Sequence, residues 1–298
     1  MLFSKKLSFI LLSFLILNNI IYCRRARRNC KICGISHEDE AVSKKIINGE
    51  EIEQENKYPW LVPIMANGNI MCGGAIISPR YVITAAHCFL KREAFQENQC
   101  LQKKMPKAPC YYPPERFQVG ILNNSGTRVP VQVVKLIAHP LFSINGRIND
   151  IALMKLSRPI RCGKLNAPIC LPKRSRNKIG DNLIVAGWGK YSENNTEKKL
   201  REGRMTQVDK KKCVDGSESK ARHYVCAVAT ETNQKSCFGD SGSAIFTKFG
   251  KKNVALGVTS FGISQPNKLC SLDKPAIFTE IYPYRKWIKR HVKDIPRG

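Results

Sequence analysis

Ser236-Cys237-Phe238-Gly239-Asp240-Ser241-Gly242-Ser243 sets one serine beside an acid and a cysteine, with glycine on either side of the Asp240-Ser241 pair. Glycine at 239 and 242 lets the backbone turn sharply, so the amide hydrogens of Gly239 and Ser241 can converge on a substrate carbonyl oxygen. A serine hydroxyl is a poor nucleophile until a base takes its proton and something stabilises the resulting oxyanion. Ser241 is therefore a candidate nucleophile, and its base has to come from elsewhere in the chain. Taken alone, the stretch also reads as an ordinary Gly/Ser/Asp surface turn.

Two motifs upstream supply what Ser241 lacks. Thr84-Ala85-Ala86-His87-Cys88 ends an apolar run on a histidine, and Asn149-Asp150-Ile151-Ala152-Leu153 puts an acid just before another such run. Histidine is the side chain that accepts and returns a proton near neutrality. A buried carboxylate on its second ring nitrogen fixes the tautomer and stabilises the imidazolium, which makes His87, Asp150 and Ser241 a candidate triad. Around these motifs the chain reads as short β-runs separated by turn signals: 75–77, 81–84, 116–122, 129–138, 151–156, 183–186, 223–229, 244–249, 254–261 and 276–281. Many short strands at this spacing predict an all-β barrel or sandwich. The end of the chain predicts a helix, because Ile281, Tyr284, Ile288 and Val292 recur at intervals of three and four. Arg285, Lys286, Lys289, Arg290 and Lys293 fall largely on its other face, which reads as a solvated face or an anion-binding one.

From about residue 46 to 294 the chain resembles the chymotrypsin-like serine proteases. The resemblance rests on Ile46-Ile47-Asn48-Gly49, Tyr58-Pro59-Trp60, Cys72-Gly73-Gly74, the His87 and Asp150 motifs, Gly187-Trp188-Gly189 and Gly239 to Gly242. The order His, Asp, Ser is that family's, whereas α/β-hydrolases run Ser, acid, His around a G-x-S-x-G that Ser243 spoils here. The resemblance implies two packed six-stranded antiparallel β-barrels with the triad at their junction and a C-terminal α-helix. It also implies a zymogen. Cleavage after Lys45 would free the Ile46 ammonium to pair with Asp240 and order the Gly239 and Ser241 amides into an oxyanion hole. Breaking such a buried charge pair costs about 3–5 kcal/mol, enough to hold a switch in one state.

The substrate pocket departs from the tryptic pattern. Lys235 stands where trypsin-like members carry Asp, so it would repel basic side chains and, if it points inward, attract acidic ones. Ser260, Phe261 and Gly262 match the substrate-binding strand, and Ala276 narrows the pocket where trypsins have glycine. Non-tryptic primary specificity, with acidic side chains as the candidates, is the expectation.

Residues 1–23 carry Lys5 and Lys6 and then an apolar run broken by Asn18 and Asn19, short for a membrane span of about 20 residues. A secretory signal peptide is the reading, with an uncleaved anchor as the alternative. Residues 24–45 would then be a propeptide or light chain, and 46–298 the peptidase domain. Of 13 cysteines, Cys23 leaves with the signal, and the even remainder suits pairing in an oxidising, extracellular setting. By resemblance, Cys72 pairs with Cys88, Cys213 with Cys226, and Cys237 with Cys270. A further family bridge lacks both partners, since Leu183 and Thr247 stand there. Cys170 matches a position that holds a propeptide cysteine, so Cys33 or Cys30 bonds it, Cys162 takes the other, and Cys100 closes a loop with Cys110. Asn123 and Asn194 begin glycosylation sequons.

The formal charge is +27, from 50 Lys+Arg against 23 Asp+Glu, which attracts anionic surfaces at long range. No zinc-finger spacing, RNP-like stretch or basic heptad helix accompanies it, so nucleic acid is not the expected partner. The expected partners are protein or peptide substrates, an activating trypsin-like protease, and anionic glycans, with no membrane span after signal removal. No cofactor or metal is implied. The competing reading is a catalytically silent homologue that binds glycans or proteins through its basic surface.

Overall fold

The computed structural model describes residues 30–37, 50–91, 110–144, 148–176, 178–189, 199–213, 223–230, 240–262 and 275–297, without the side chains of Phe261 and Gly262. Its strands are β1 (Glu50–Glu51), β2 (Leu61–Ala66), β3 (Asn69–Ser78), β4 (Tyr81–Thr84), β5 (Phe117–Leu122), β6 (Arg128–Ala138) and β7 (Ala152–Leu156) in the first half. The second half has β8 (Asn182–Gly187), β9 (Arg201–Val208), β10 (Tyr224–Ala229), β11 (Ala244–Phe249), β12 (Lys252–Gly262) and β13 (Ala276–Glu280). Helix α1 spans Arg285–His291 and follows a 3-10 turn at Tyr282–Tyr284.

The first six-stranded barrel closes in the order β2-β3-β4-β7-β6-β5, and the second in the order β8-β9-β10-β13-β12-β11. Every pairing is antiparallel. Closure leaves no long open edge in either unit. Strand β1 adds to β9 through Glu50–Glu202 and Glu51–Arg201, beyond the stretch of β9 that β10 covers. Three strands were not among the expected runs, and each hides its signal. Strand β2 contains Pro63, β9 opens on buried Arg201 and Glu202, and β1 is two residues long.

Leu183 is fully buried and Thr247 stands next along the β8–β11 register from the Phe246–Ile184 pair. Thr247 Oγ1 donates to Asn182 O at 2.9 Å, so an apolar contact and a hydrogen bond replace the bridge that both positions lack. The barrels meet on aromatic rings. Trp60, just before β2, sits edge-on to Phe246 of β11 at 5.2 Å between centroids, and Tyr58 meets the same ring at 4.9 Å. Such pairs contribute about 0.5–1.5 kcal/mol each beyond their burial. The expected helix face docks as its spacing requires: Ile281, Tyr284, Ile288 and Val292 are all buried, while Lys286, Lys289, Arg290 and Lys293 stay exposed.

Residues 30–37 lie against this body. Cys33 is disulfide-bonded to Cys170 and Cys30 to Cys162, which resolves the two tethers into one pairing. Gly34 donates from its N to Pro168 O at 2.8 Å, and Asn253 of β12 donates from its backbone N to Gly34 O at 2.7 Å. The Asn253 side-chain amide donates to Gly34 O at 3.0 Å and to Ser36 Oγ at 3.1 Å. Cys72–Cys88 and Cys213–Cys226 are bonded as expected. Cys110 is disulfide-bonded, while Cys100, Cys237 and Cys270 lie outside the described residues. Among the described residues no helix is long and apolar enough to cross a membrane.

Candidate active site

His87 sits in a 3-10 turn, Ala86–Phe89, that takes over where β4 ends at Thr84. Asp150 immediately precedes β7 and is wholly buried. Its Oδ2 accepts from His87 Nδ1 at 2.7 Å and its Oδ1 from the His87 backbone N at 2.9 Å. Ser260 of β12, also buried, donates Oγ to Oδ2 at 2.5 Å. Three donors thus converge on one carboxylate in a dry position, the arrangement that keeps a buried charge tolerable. Burial works against charge on both partners. For His87, the Asp150 charge and hydrogen bond outweigh burial and raise its pKa above the ordinary 6.5. For Asp150, burial is likewise outweighed, by the His87 charge, the His87 and Ser260 side-chain hydrogen bonds and the His87 backbone N–H, which hold its carboxyl below the usual value.

The backbone around Asp150 is held from outside. Asn149 adopts φ 54°, a left-handed conformation uncommon for any residue but glycine. Tyr284, at the entry to α1, donates its hydroxyl to Asn149 Oδ1 at 2.8 Å, and Asn149 Nδ2 donates to Leu141 O at 2.7 Å. Ile151 N closes onto Asn149 O at 2.8 Å. The C-terminal helix is therefore wired to the acid through its neighbour.

Ser241 arrives from the second barrel on a turn that Ser243 N closes by donating to Asp240 O at 3.0 Å. Gly73 N donates to Ser241 O, and Gly242 N to Thr259 O, both at 2.8 Å. Gly242 has φ +84°, and a Cβ there would strike Thr84 Oγ1 and stand 2.5 Å from Gly73 O. The serine turn thus lies flat on the strand end that delivers His87. The Cys72–Cys88 disulfide ties the residue before Gly73 to the residue after His87, so both parts rest on one covalent frame. The two sulfurs and a His87 ring nitrogen lie within 4.8 Å of one another, yet paired sulfurs carry no thiolate for a metal.

Asp240 is buried beside Gly187-Trp188-Gly189. Its Oδ1 accepts from Gly189 N at 2.9 Å, and a Cβ on Gly189 would stand 2.5 Å from its Oδ2. That close approach is the reason for glycine in this motif.

Of the expected site residues, His87, Asp150 and Ser260 are joined by hydrogen bonds, Ser241 O stands 3.8 Å from Cys88 Sγ beside His87, and Asp240 is held at Gly189. Ala276 is buried at the start of β13, paired with Gly262. Lys45, Ile46, Lys235, Gly239 and Asn194 lie outside the described residues. The side chain of Ser260 turns from β12 onto Asp150, a contact its place in a Ser-Phe-Gly run does not announce. Tyr284 and Tyr111 were also missed. Tyr111, half-buried, has its phenol pushed up to about 12 by burial and by the Asp150 charge.

A trypsin family model matches residues 46–288. Phenoloxidase-activating factor 3 of Holotrichia diomphalia is 30% identical over 271 residues, covering 84% of this chain and 73% of that protein. Mannan-binding lectin serine protease 1 of Mus musculus is 27% identical over 87% of this chain, and its Rattus norvegicus counterpart 26% over the same share. The chain spans 37% of the length of each of those two proteins. A closed double barrel, the histidine and buried acid at its junction, and a match running from Ile46 into α1 agree: the chain belongs to the trypsin family of serine endopeptidases.

Proposed function

We propose that this chain is the precursor of a secreted endopeptidase in which residues 1–23 direct export and cleavage after Lys45 activates residues 46–298. His87, Asp150 and Ser241 carry the chemistry. Ser241 Oγ attacks the scissile carbonyl carbon while His87 Nε2 takes its proton, and the Gly239 and Ser241 amides hold the oxyanion. Collapse breaks the C–N bond, and His87 returns the proton to the leaving amine. Water then repeats the sequence on the ester and regenerates Ser241. Asp150 keeps its negative charge throughout and steadies the imidazolium.

The observation that carries this reading is the 2.7 Å bond from His87 Nδ1 to a fully buried Asp150 that Ser260 also holds. It supports a histidine oriented with its other nitrogen toward substrate. The paired tethers of Cys30 and Cys33 support a light chain that stays attached after cleavage. The new Ile46 ammonium then pairs with Asp240. Lys235 directs the pocket away from basic side chains, toward acidic ones. One relative is by name an activating factor for phenoloxidase, so limited cleavage of another protein is the reaction class proposed.

The test is hydrolysis of a peptide library varied before the scissile bond, using protein cut after Lys45 and its Ser241→Ala variant. Turnover that Ser241→Ala abolishes, with preference for acidic residues, is expected. No turnover with the Ile46 terminus confirmed would overturn the reading in favour of a silent binding protein, and preference for Arg or Lys would overturn the pocket assignment alone.

A further inference from the structure

A cleft of about 440 Å³ opens on the first barrel between the β5–β6 hairpin and the segment 158–166, sharing no residue with the site around His87. Its lining divides by chemistry. Ile121, Val131 and Ile160 are buried and give it an apolar interior, while Arg158, Arg161 and Lys164 are exposed around it. No acidic residue lines it. Among the described residues none of these three cations has an ion-pair partner, although other basic side chains do: Arg128 meets Glu55, Lys57 meets Glu202 and Lys210 meets Glu280.

The walls are also held in place. Asn166 accepts from Leu122 N at 3.1 Å and donates to Leu122 O at 2.8 Å, clasping the segment to the end of β5. Cys162 in the wall is the residue that bonds the light chain through Cys30. A pre-formed cleft loses little ordering entropy when it fills, and its volume falls in the range of ligand sites.

We infer that this cleft is a docking site for an acidic segment of a partner polypeptide that carries an aliphatic side chain between its carboxylates. The carboxylates answer Arg158, Arg161 and Lys164, and the aliphatic group covers Ile121, Val131 and Ile160. The apolar interior favours a peptide over a sulfated glycan, which has no comparable group to place there. The site is independent of the catalytic reading and is tested without it.

The experiment uses the full chain with Ser241→Ala, so that no probe is cut, and any glycan on Asn123, which also lines the cleft, trimmed to its first sugar. The probe is a short fluorescein-labelled peptide alternating Glu with Ile and Leu, followed by anisotropy. An all-Glu peptide and a heparin fragment serve as comparisons. The cleft variant is Arg158→Glu with Arg161→Glu and Lys164→Glu. The charge-matched control is Lys286→Glu with Lys289→Glu and Arg290→Glu on the exposed face of α1. Saturable binding that weakens about tenfold or more in the cleft variant and less than about twofold in the control is expected. If the triple reversal does not fold, Arg161→Ala with Lys164→Ala should still weaken binding several-fold. Equal losses in cleft and control variants would overturn the inference, as would no saturable binding. So would an all-Glu peptide or heparin that binds as tightly as the mixed peptide, since the cleft would then be reading charge alone.

Discussion

Replacing Gly73 by alanine tests how closely the two barrels are fitted at the active site. Gly73 is not among the residues with positive φ, so alanine is allowed by the backbone and only space opposes it. An added Cβ would overlap Ser243 Oγ outright and stand 3.1 Å from Ser243 Cβ and 3.4 Å from Ser243 Cα. Ser243 is fully buried, and its hydroxyl has no hydrogen-bond partner among the described residues. One methyl forced into filled core costs about 1–3 kcal/mol. Ser243→Gly removes both offending atoms and leaves only the ordinary 3.4 Å contact. That single change loses an unpaired buried hydroxyl, which favours the variant by about 1–3 kcal/mol, against about 0.5–1 kcal/mol of added glycine entropy. The double variant should therefore recover most of what Gly73→Ala loses, a coupling of about 1–3 kcal/mol. Denaturant midpoints read by tryptophan fluorescence for the four proteins complete the cycle. Because Gly73 N holds Ser241 O, ester hydrolysis should fall in Gly73→Ala and return in the double variant. Effects that add within about 0.5 kcal/mol would refute the reasoning.

Activity should rise with pH through a pKa above 6.5, because His87 must be neutral to act as a base and Asp150 raises its pKa. Asp150→Asn should lower that inflection in kcat/KM and cut kcat by about 10⁴-fold. The stability linkage has the opposite sign: with its folded pKa raised, protonated His87 stabilises the fold fully below 6.5, and the contribution is lost as pH rises through the folded value. Tyr284→Phe removes the bond to Asn149 and should lower kcat several-fold with KM unchanged, while retaining the binding of a substrate-like inhibitor. His139, packed on Tyr284 and Trp287, has its pKa lowered to about 4 by burial and by His223. The unfolded chain then binds the extra proton between about 4 and 6.5, so stability should rise with pH across that window. Linkage sets the ceiling at about 3 kcal/mol, reduced to roughly 1–2 kcal/mol because the ring is only half-buried. His139→Gln should flatten that slope in thermal melts at graded pH.

What was legible in the sequence was what is written in local pattern. Strands β4 and β11 match their expected runs residue for residue, since Tyr81-Val82-Ile83-Thr84 and Ala244 to Phe249 are uninterrupted by breakers. Strand β9 was missed because its buried residues include Arg201, Glu202 and Gln207, and partners from distant sequence make such burial tolerable, as where Tyr58 and Lys57 both reach Glu202. The same distance dependence limits the site. His87, Asp150 and Ser241 carry recognisable neighbours, whereas Ser260 and Tyr284 acquire their roles only when β12 and α1 are brought to Asp150. The cleft has no motif at all, since its lining joins the apolar and asparagine side chains of a hairpin to the cations of a loop some thirty residues further on, Arg158, Arg161 and Lys164.

The path of residues 30–37 explains why the two disulfides sit where they do. The first barrel brings His87 and Asp150, and the second brings Ser241 and Ser260, so any rotation of one barrel against the other separates the two pairs. Cys162 and Cys170 lie on the connection between the barrels, and both bond the light chain. The same short segment reaches β12 through Asn253 and the approach to β2 through His37 N, which donates to Lys57 O at 2.9 Å. It therefore spans the connection, the second barrel and the lead into the first. A segment that only had to remain attached needs one disulfide. Two disulfides eight residues apart along the connection, with Gly34 just after the second tether hydrogen-bonded both to Pro168 and to Asn253, fix orientation as well as attachment. Residues 30–37 thus form a strut across the barrel junction, anchored through Cys162 to one wall of the basic cleft.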